Sequence, residues 1–475
     1  VLVTASKMSL STRAFHKATD PHAVLPAFLS IDRPFVLRIT AQWGCRRQGN
    51  PPAMLDTPVL RPVLFFLALL GLSACGAAPS GEVPEQSRNA ELARVPALID
   101  FWNTPQRGGN SMNMQPPDRA YFESLRATGA TWVRLAPDKW PGGGGRDFLI
   151  GNADHYAGLV PEDLAMLRRV LDDADAAGLN VVLVPLSLPL LRWRQHNDNR
   201  PDMRLWQSME NHRPAQAFWR DLARALKGHP ALVAYNLINE PAPELGSSLG
   251  EHAPEADMRT WYAAQKDGPR DLRLFYTGLL EAVRDVDPAM PVMLDAGWYA
   301  AADAFDYWPA PLQDPLVLYS VHMYEPYEAT SAPNQRRATP YRYPGTVRYA
   351  GTEQHWDAAR VRDYLGRPLH WAEQHGVDPR RLVVGEFGCM RRWPDCPAYL
   401  RDVLDVLDGA QLHWAFYAFR EDGWDGMDYE LGDMRLPWSY WQARERGESP
   451  LPPRSDTPMF RILRNAMQKK GDGGG

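Results

Sequence analysis

Residues 161–186 read PEDLAMLRRVLDDADAAGLNVVLVPL, and the two halves of the stretch obey different periodicities. In the first half Leu164, Leu167, Val170, Leu171 and Ala174 recur three and four apart, which places them on one face of a helix over Glu162–Ala177. Pro161 near its start and Gly178 just past its end are the punctuation a helix of that span requires. In the second half Val181-Val182-Leu183-Val184 shows no polar alternation. A strand of that kind is buried on both faces, as in a parallel sheet covered by helices.

The same alternation extends in both directions from about Val95. Strands are predicted at Ala97–Trp102, Thr131–Leu135, Asn180–Leu186, Leu232–Asn239, Pro291–Ala296, Leu316–Tyr324, Arg381–Gly388 and Gln411–Phe419. Helices are predicted at Pro214–Lys227, Asp271–Val286, Trp356–His375 and Pro397–Leu407, with only a short one, Ala301–Tyr307, between the fifth and sixth strands. Strict alternation of strand and helix over residues 93–468 predicts an α/β chain folded as a single (β/α)8 barrel, the TIM-barrel architecture. A doubly wound open sheet would carry a glycine fingerprint after its first strand, and none is present. The run Gly142–Gly145 lacks the Lys-Ser/Thr of a phosphate loop and reads as a flexible connection.

Composition excludes some functions. The 475 residues carry a net charge of −5, with no basic stripe, so a nucleic-acid partner is not expected. Seventeen tryptophans suit sugar stacking as well as core packing. The cysteines (Cys45, Cys75, Cys389 and Cys396) are not spaced as zinc ligands, and the histidines do not cluster at strand ends, so neither a metal nor a cofactor is expected. A monomer is the expected state.

The N-terminal part reads as an address. Val63–Cys75 is uncharged and apolar or small, shorter than the roughly 20 residues of a membrane-spanning helix but the right size for an export signal. It closes on Leu72-Ser73-Ala74-Cys75, which resembles the lipobox of bacterial lipoproteins. Residues 54–75 are therefore read as a lipoprotein signal peptide with translation starting at Met54, and residues 1–53 as an upstream extension absent from the mature protein. Residues 76–92 would form a tether and residues 469–475 a disordered tail. Several acyl chains on Cys75 would hold the protein stably on a membrane. Gly76, not Asp, follows the cysteine, which favours the outer membrane of a bacterial envelope.

In a barrel the chemistry sits where strands finish. The second strand ends Trp132-Val133-Arg134, the fourth Asn236-Leu237-Ile238-Asn239-Glu240-Pro241, and the sixth Val321-His322-Met323-Tyr324-Glu325-Pro326. The seventh ends Val384-Gly385-Glu386-Phe387-Gly388, the eighth runs His413-Trp414-Ala415-Phe416-Tyr417, and Asp295 and Trp298 follow the fifth. An isolated Glu after a strand means little, but strands four and seven lie across a barrel mouth from each other. Glu240 and Glu386 can then work as a pair, one protonated to donate to a departing oxygen and the other ionised to attack an anomeric carbon. A separation of about 5–5.5 Å would mean retention of configuration and a wider gap inversion.

With these residues in place, 93–468 resembles glycoside hydrolase family 5, the cellulase and mannanase group, or a near relative in the same clan. The resemblance implies a carbohydrate substrate, Glu240 as acid/base and Glu386 as nucleophile. It also implies that Asn239 bonds the sugar 2-hydroxyl, Tyr324 and Arg134 hold the nucleophile ionised, His322 tunes the acid, and Trp414 floors the cleavage subsite. A guanidinium beside Glu386 should lower its pKa, and Glu240 should rise. Where the family usually has a His at the third strand's end, this chain has Val184-Pro185-Leu186-Ser187, with His196 only further along. Trp424, in the loop after the eighth strand, is a candidate sugar contact, with Trp298, Trp193 and Trp206 as looser ones. In an exported protein Cys389 and Cys396 could close a disulfide beside the nucleophile.

The reading that follows is a retaining hydrolase of β-linked glucan or mannan, acting in mid-chain. An exo-acting β-glycosidase or an exopolysaccharide-processing hydrolase is the alternative within enzymes. A catalytically silent carbohydrate-binding lipoprotein is the alternative outside them, although both glutamates are present. For the N-terminus, mass spectrometry of protein recovered from a bacterial membrane fraction is expected to find acylated Cys75 as the first residue, and Cys75→Ser to abolish the acylation. Residues 1–53 in the mature chain would sink that reading.

Overall fold

The computed structural model describes residues 98–143 and 146–469. The extension, the signal with Cys75, Cys45, the tether, and all of the tail except Lys469 lie outside the described residues. Eight of the strands close a barrel: β1 (Arg107–Ser111), β2 (Trp132–Leu135), β3 (Asn180–Leu183), β4 (Leu232–Asn236), β5 (Val292–Asp295), β6 (Val317–Met323), β9 (Leu382–Phe387) and β10 (His413–Phe416). Between β6 and β9 an antiparallel hairpin, β7 (Gly345–Tyr349) and β8 (Thr352–Trp356), stands outside it. Neighbouring barrel strands pair in the order β1-β10-β9-β6-β5-β4-β3-β2, and every barrel pair is parallel. This is the (β/α)8 barrel.

The helices follow the predicted periodicity closely. Pro161–Ala176 buries Leu167, Val170, Leu171 and Ala174 against the sheet. His212–Leu226, Leu272–Arg284, Ala358–His375 and Cys396–Gly409 pack around it, and the fifth connection holds only two short turns, Gly297–Ala300 and the 3-10 turn Ala302–Asp306. Trp356 ends β8 rather than opening a helix. The helix starts at Ala358 because the Asp357 side chain accepts from Arg360 N and caps it.

The first strand is not where hydrophobicity put it. Residues 98–101 are helical, and Trp102 packs under the barrel, its indole N–H donating to the Val233 carbonyl at 3.1 Å. Its ring stands edge-on to Trp132 and His413. The strand is instead Arg107-Gly108-Gly109-Asn110-Ser111, a sequence of low β propensity. Its glycine is demanded by packing, since a Cβ on Gly108 would lie 2.4 Å from the Trp132 carbonyl oxygen. The hairpin was also unforeseen. It turns through Ala350-Gly351, both at positive φ, as a two-residue hairpin loop requires.

Gly108→Ala is expected to lower stability by about 1–3 kcal/mol, the usual effect of overpacking, seen as a fall in the urea midpoint. An unchanged midpoint would mean that β1 and β2 do not approach as closely as described.

Candidate active site

Arg134, at the end of β2, is fully buried, and its five N–H groups meet five acceptors. Nε donates to Asn236 Oδ1 at 2.8 Å. Nη1 donates to Asn110 Oδ1 at 3.3 Å and to Glu386 Oε1 at 2.6 Å. Nη2 donates to Asn239 Oδ1 at 2.8 Å and to Asp295 Oδ2 at 3.1 Å. The acceptors come from β1, β4 and its following loop, β5 and β9, so one cation ties together strand ends around the barrel mouth.

Glu386 takes a further bond on Oε2 from the Tyr324 hydroxyl, at 2.6 Å. Gly385 before it has no room for a side chain, because a Cβ there would sit 2.7 Å from Ser320 Oγ. Across the mouth, Glu240 approaches His322, with Oε1 and Nδ1 2.9 Å apart, and its backbone N–H donates to Asp295 Oδ2 at 3.1 Å. A register shift between Val321 and His322 sets His322 opposite Glu386. One oxygen of Glu240, one of Glu386 and a ring nitrogen of His322 lie within 4.8 Å of one another.

Burial and the nearby Asp295 carboxylate push the Glu240 carboxyl up to about 8, against the pull of Arg134. Because the folded state holds this proton more tightly than the unfolded chain, the group contributes stability at low pH that is lost as pH rises through about 8. The expectation that Arg134 would carry Glu386 below the ordinary carboxylate range is not met. Burial is the larger influence and moves Glu386 upward too, with Arg134 and the Tyr324 hydroxyl opposing it. Those two donors bond Glu386 directly and favour its ionised form, while Arg134 and Asn239 act on Glu240 without outweighing its burial. Burial keeps His322 neutral. Its Nδ1 can then accept a hydrogen bond from the Glu240 carboxyl, while Nε2 lies 3.6 Å from Asp295.

The recess between the glutamates is lined by Asn239, Tyr417, Trp193, Gln195, Met112 and the pair Lys139–Glu421. Sequence reasoning placed Trp414 on its floor, but Trp414 is fully buried and packs edge-on against Phe387 inside the barrel. β10 ends at Phe416, so the first side chain to clear the strand is Tyr417. Trp424 stands 6.2 Å from the Tyr417 ring and is not among the lining residues. Trp298 is buried in the turn after β5, and Trp206 packs on Phe275. Trp193 does reach the recess. Cys389 and Cys396 form a disulfide, with Cα atoms 5.7 Å apart.

Asn110, Lys139 and Gln195 were missed, and Glu421 was read only as part of the loop that carries Trp424. Asn110 hides in a segment that does not read as a strand, and Lys139 lies beyond the last predicted residue of its strand. Lys139 Nζ contacts Glu421 Oε1 at 2.9 Å, and the Tyr417 hydroxyl donates to Glu421 Oε2 at 2.6 Å. A second acid–imidazole group, Glu251, His252 and Glu325, gathers near the Glu240 side, where His252 bonds Asp303 and Glu325.

A family model described as Cellulase (glycosyl hydrolase family 5) matches residues 99–423. No curated protein matches the sequence. Among solved structures, the chain is similar to an endoglucanase at 18% identity and TM-score 0.51, covering 77% of this chain and 99% of that one. It is similar to a hyperthermophilic endo-β-1,4-glucanase at 16% and 0.52, covering 78% and 99%. It is also similar to the endoglucanase Cel5A of Thermotoga maritima at 13% and 0.51, covering 79% and 99%. At these identities the likeness concerns the fold.

Removing the guanidinium would leave Asp295 and Glu386 buried side by side without a cation. Arg134→Ala is expected to destabilise the protein by about 3–5 kcal/mol, and Arg134→Lys to recover only part, since an ammonium has three donors for five acceptors. Denaturant unfolding measures this. A wild-type midpoint in Arg134→Ala would remove Arg134 from its central position.

Proposed function

The chain belongs to glycosyl hydrolase family 5, and from that membership we propose that this β-glycoside hydrolase retains anomeric configuration, with Glu240 as acid/base and Glu386 as nucleophile. The observation that carries the proposal is the close approach of the two carboxyl groups, with an oxygen of each inside a 4.8 Å cluster. That spacing suits the retaining arrangement of about 5–5.5 Å and leaves no room for the water an inverting enzyme interposes.

Glu386 attacks the anomeric carbon as the glycosidic C–O bond breaks, and Glu240 gives its proton to the departing oxygen. Water then loses a proton to Glu240 and displaces Glu386, restoring both groups. Arg134 and Tyr324 stabilise Glu386 when it is a carboxylate. His322 Nδ1 accepts a hydrogen bond from the protonated Glu240 carboxyl in the resting state, which holds the acid in its donating orientation. Asn239, fixed by Arg134, faces the recess and suits a sugar hydroxyl. Tyr417 and Trp193 supply aromatic surface there.

A β-linked glucan or mannan is the proposed substrate class, in keeping with the endoglucanase names of the structural neighbours. A second reading, exo action, is favoured by one feature. The Lys139–Glu421 bridge joins the loops after β2 and β10, which flank β1, so it closes the recess over the β1 end. Asp422 reinforces this wall by accepting from the backbone N–H groups of Met114 and Gln115. Export and lipid anchoring through Cys75 at the bacterial envelope are proposed from the lipobox, and a disulfide-bonded domain fits an oxidising compartment. Among the described residues no helix is long and apolar enough to cross a membrane.

Incubation with β-glucans, mannans and xylans is expected to release sugar from one of these classes, with Glu240→Ala and Glu386→Ala each slower by about 10²–10⁴-fold. Activity should fall as pH rises through about 8, where Glu240 gives up its proton. NMR should show the β anomer first. Undiminished activity in both variants, or the α anomer first, would remove the assignment. Rapid loss of polymer viscosity would select endo over exo action.

A further inference from the structure

Outside the barrel, on the β5 side, a recess of about 620 Å³ opens between the helix Glu255–Gln265, the start of Leu272–Arg284 and the segment 297–310. Its wall includes Tyr262, Tyr307, Trp308 and Arg273. Each of these four carries a buried polar atom without a hydrogen-bond partner: the two phenol oxygens, the indole nitrogen and the guanidinium Nε. Glu244, wholly buried behind Gly297, adds a fifth in its Oε1. A Cβ on Gly297 would lie 2.3 Å from Glu244 Oε1 and 2.5 Å from the Tyr262 hydroxyl. The bare Cα of Gly297 therefore lets two unpaired polar atoms converge at the inner end of the recess.

Buried polar atoms are nearly always paired, so such a concentration marks groups that await a partner. We propose that this recess is a second saccharide-binding site, taking a short segment of neutral β-glycan. Its volume lies within the range of small-ligand pockets. Phenol and indole surfaces offer apolar area to sugar C–H faces. The tyrosine hydroxyls, indole N–H and guanidinium N–H match the donor and acceptor hydroxyls of a sugar, which reaches them once the side chains that shield them from solvent turn aside. Arg259, Lys266 and Arg273 are balanced in part by Asp267 and Asp271, and Arg259 is already paired with Glu255, so no strong field selects a charged ligand. The recess backs onto the loop that presents Glu240, because Glu244 accepts from Trp298 N and Pro241 O from Tyr299 N.

The choice of probe rests on the proposed β-glycan substrate. Cellotriose, mannotriose and xylotriose are titrated by calorimetry into the Glu386→Gln protein, with hydrogen exchange followed at residues 258–274 and 297–310. Two classes of site and protection of both segments are expected for at least one trisaccharide. Ala263→Trp, which fills the recess from its exposed rim, should abolish the second class. Tyr262→Phe should weaken it about fivefold, the worth of one hydrogen bond. In the presence of an intact Glu386, both changes should leave turnover of a short chromogenic β-glycoside unaltered. A single class of site unaffected by Ala263→Trp would mean that water alone, or another part of the chain, fills the recess, and would overturn the proposal. If hydrolysis of the glycan panel stands while that result is found, this site alone falls. If no panel member is hydrolysed, the catalytic reading falls, while protection of the two segments still tests the recess.

Discussion

A single buried guanidinium faces more negative charge than it can balance. Arg134 touches two carboxylates, Glu386 and Asp295, and spends its other N–H groups on asparagine amides. One positive charge with two negative ones already leaves the cluster at a net −1. Glu240, bonded to the same Asp295 through its backbone, would add a third negative charge in a place water hardly reaches. The proton on Glu240 is therefore held first by burial and then by the uncompensated Asp295 carboxylate beside it, against the pull of Arg134. Under the proposed mechanism the two roles are divided before any substrate arrives, because Arg134 and the Tyr324 hydroxyl bond Glu386 directly while Glu240 meets a neutral imidazole.

Such a cluster is costly to bury, and the barrel bears the cost by leaving few of its groups unsatisfied. Asn236 turns its amide nitrogen to Asp295 and to the Met293 carbonyl, and Asn110 gives its own to the Gly385 carbonyl. These asparagines carry no charge, yet they fix the orientation of the guanidinium between β1 and β4. Parallel strands make this possible, since every strand delivers its last residue to the same rim. The shift in register at His322 and the absence of a side chain at Gly385 then bring imidazole and carboxylate close.

The sequence made the barrel legible wherever burial dominated. β3, β4 and β9 are Val- and Leu-rich strands covered on both faces, and the helices between them bury one stripe each. It failed where tight packing, not hydrophobic burial, defined the element. Ala97–Trp102 is the more apolar segment, but β1 must pass within contact of Trp132, and only the glycine pair nearby allows it. The pair of glutamates was legible because strand ends carry their chemistry locally. Trp414 was misplaced because a sequence shows that a strand ends without fixing which residue first clears it. Lys139 and Glu421 were invisible as a pair because they meet only through the barrel's closure, across the end of a strand that was itself misread.

That last miss separates two kinds of information in the fold. Bond cleavage depends on groups held by strands, whose positions follow from closure and change little with the loops. On the proposed exo reading, the length and end of the chain that can be accepted would depend on the loops, here the bridge of Lys139 to Glu421 and the tether of Asp422 to the backbone after β1. These contacts tie the rim shut on the β1 side and do not touch Arg134. A bridge of two nearly buried opposite charges, with Tyr417 holding the second carboxylate oxygen, is not a loose surface pair that a substrate could displace at little cost. Selection of substrate length can therefore vary through loop residues such as these while the charge count around Arg134, and with it the chemistry, stays the same.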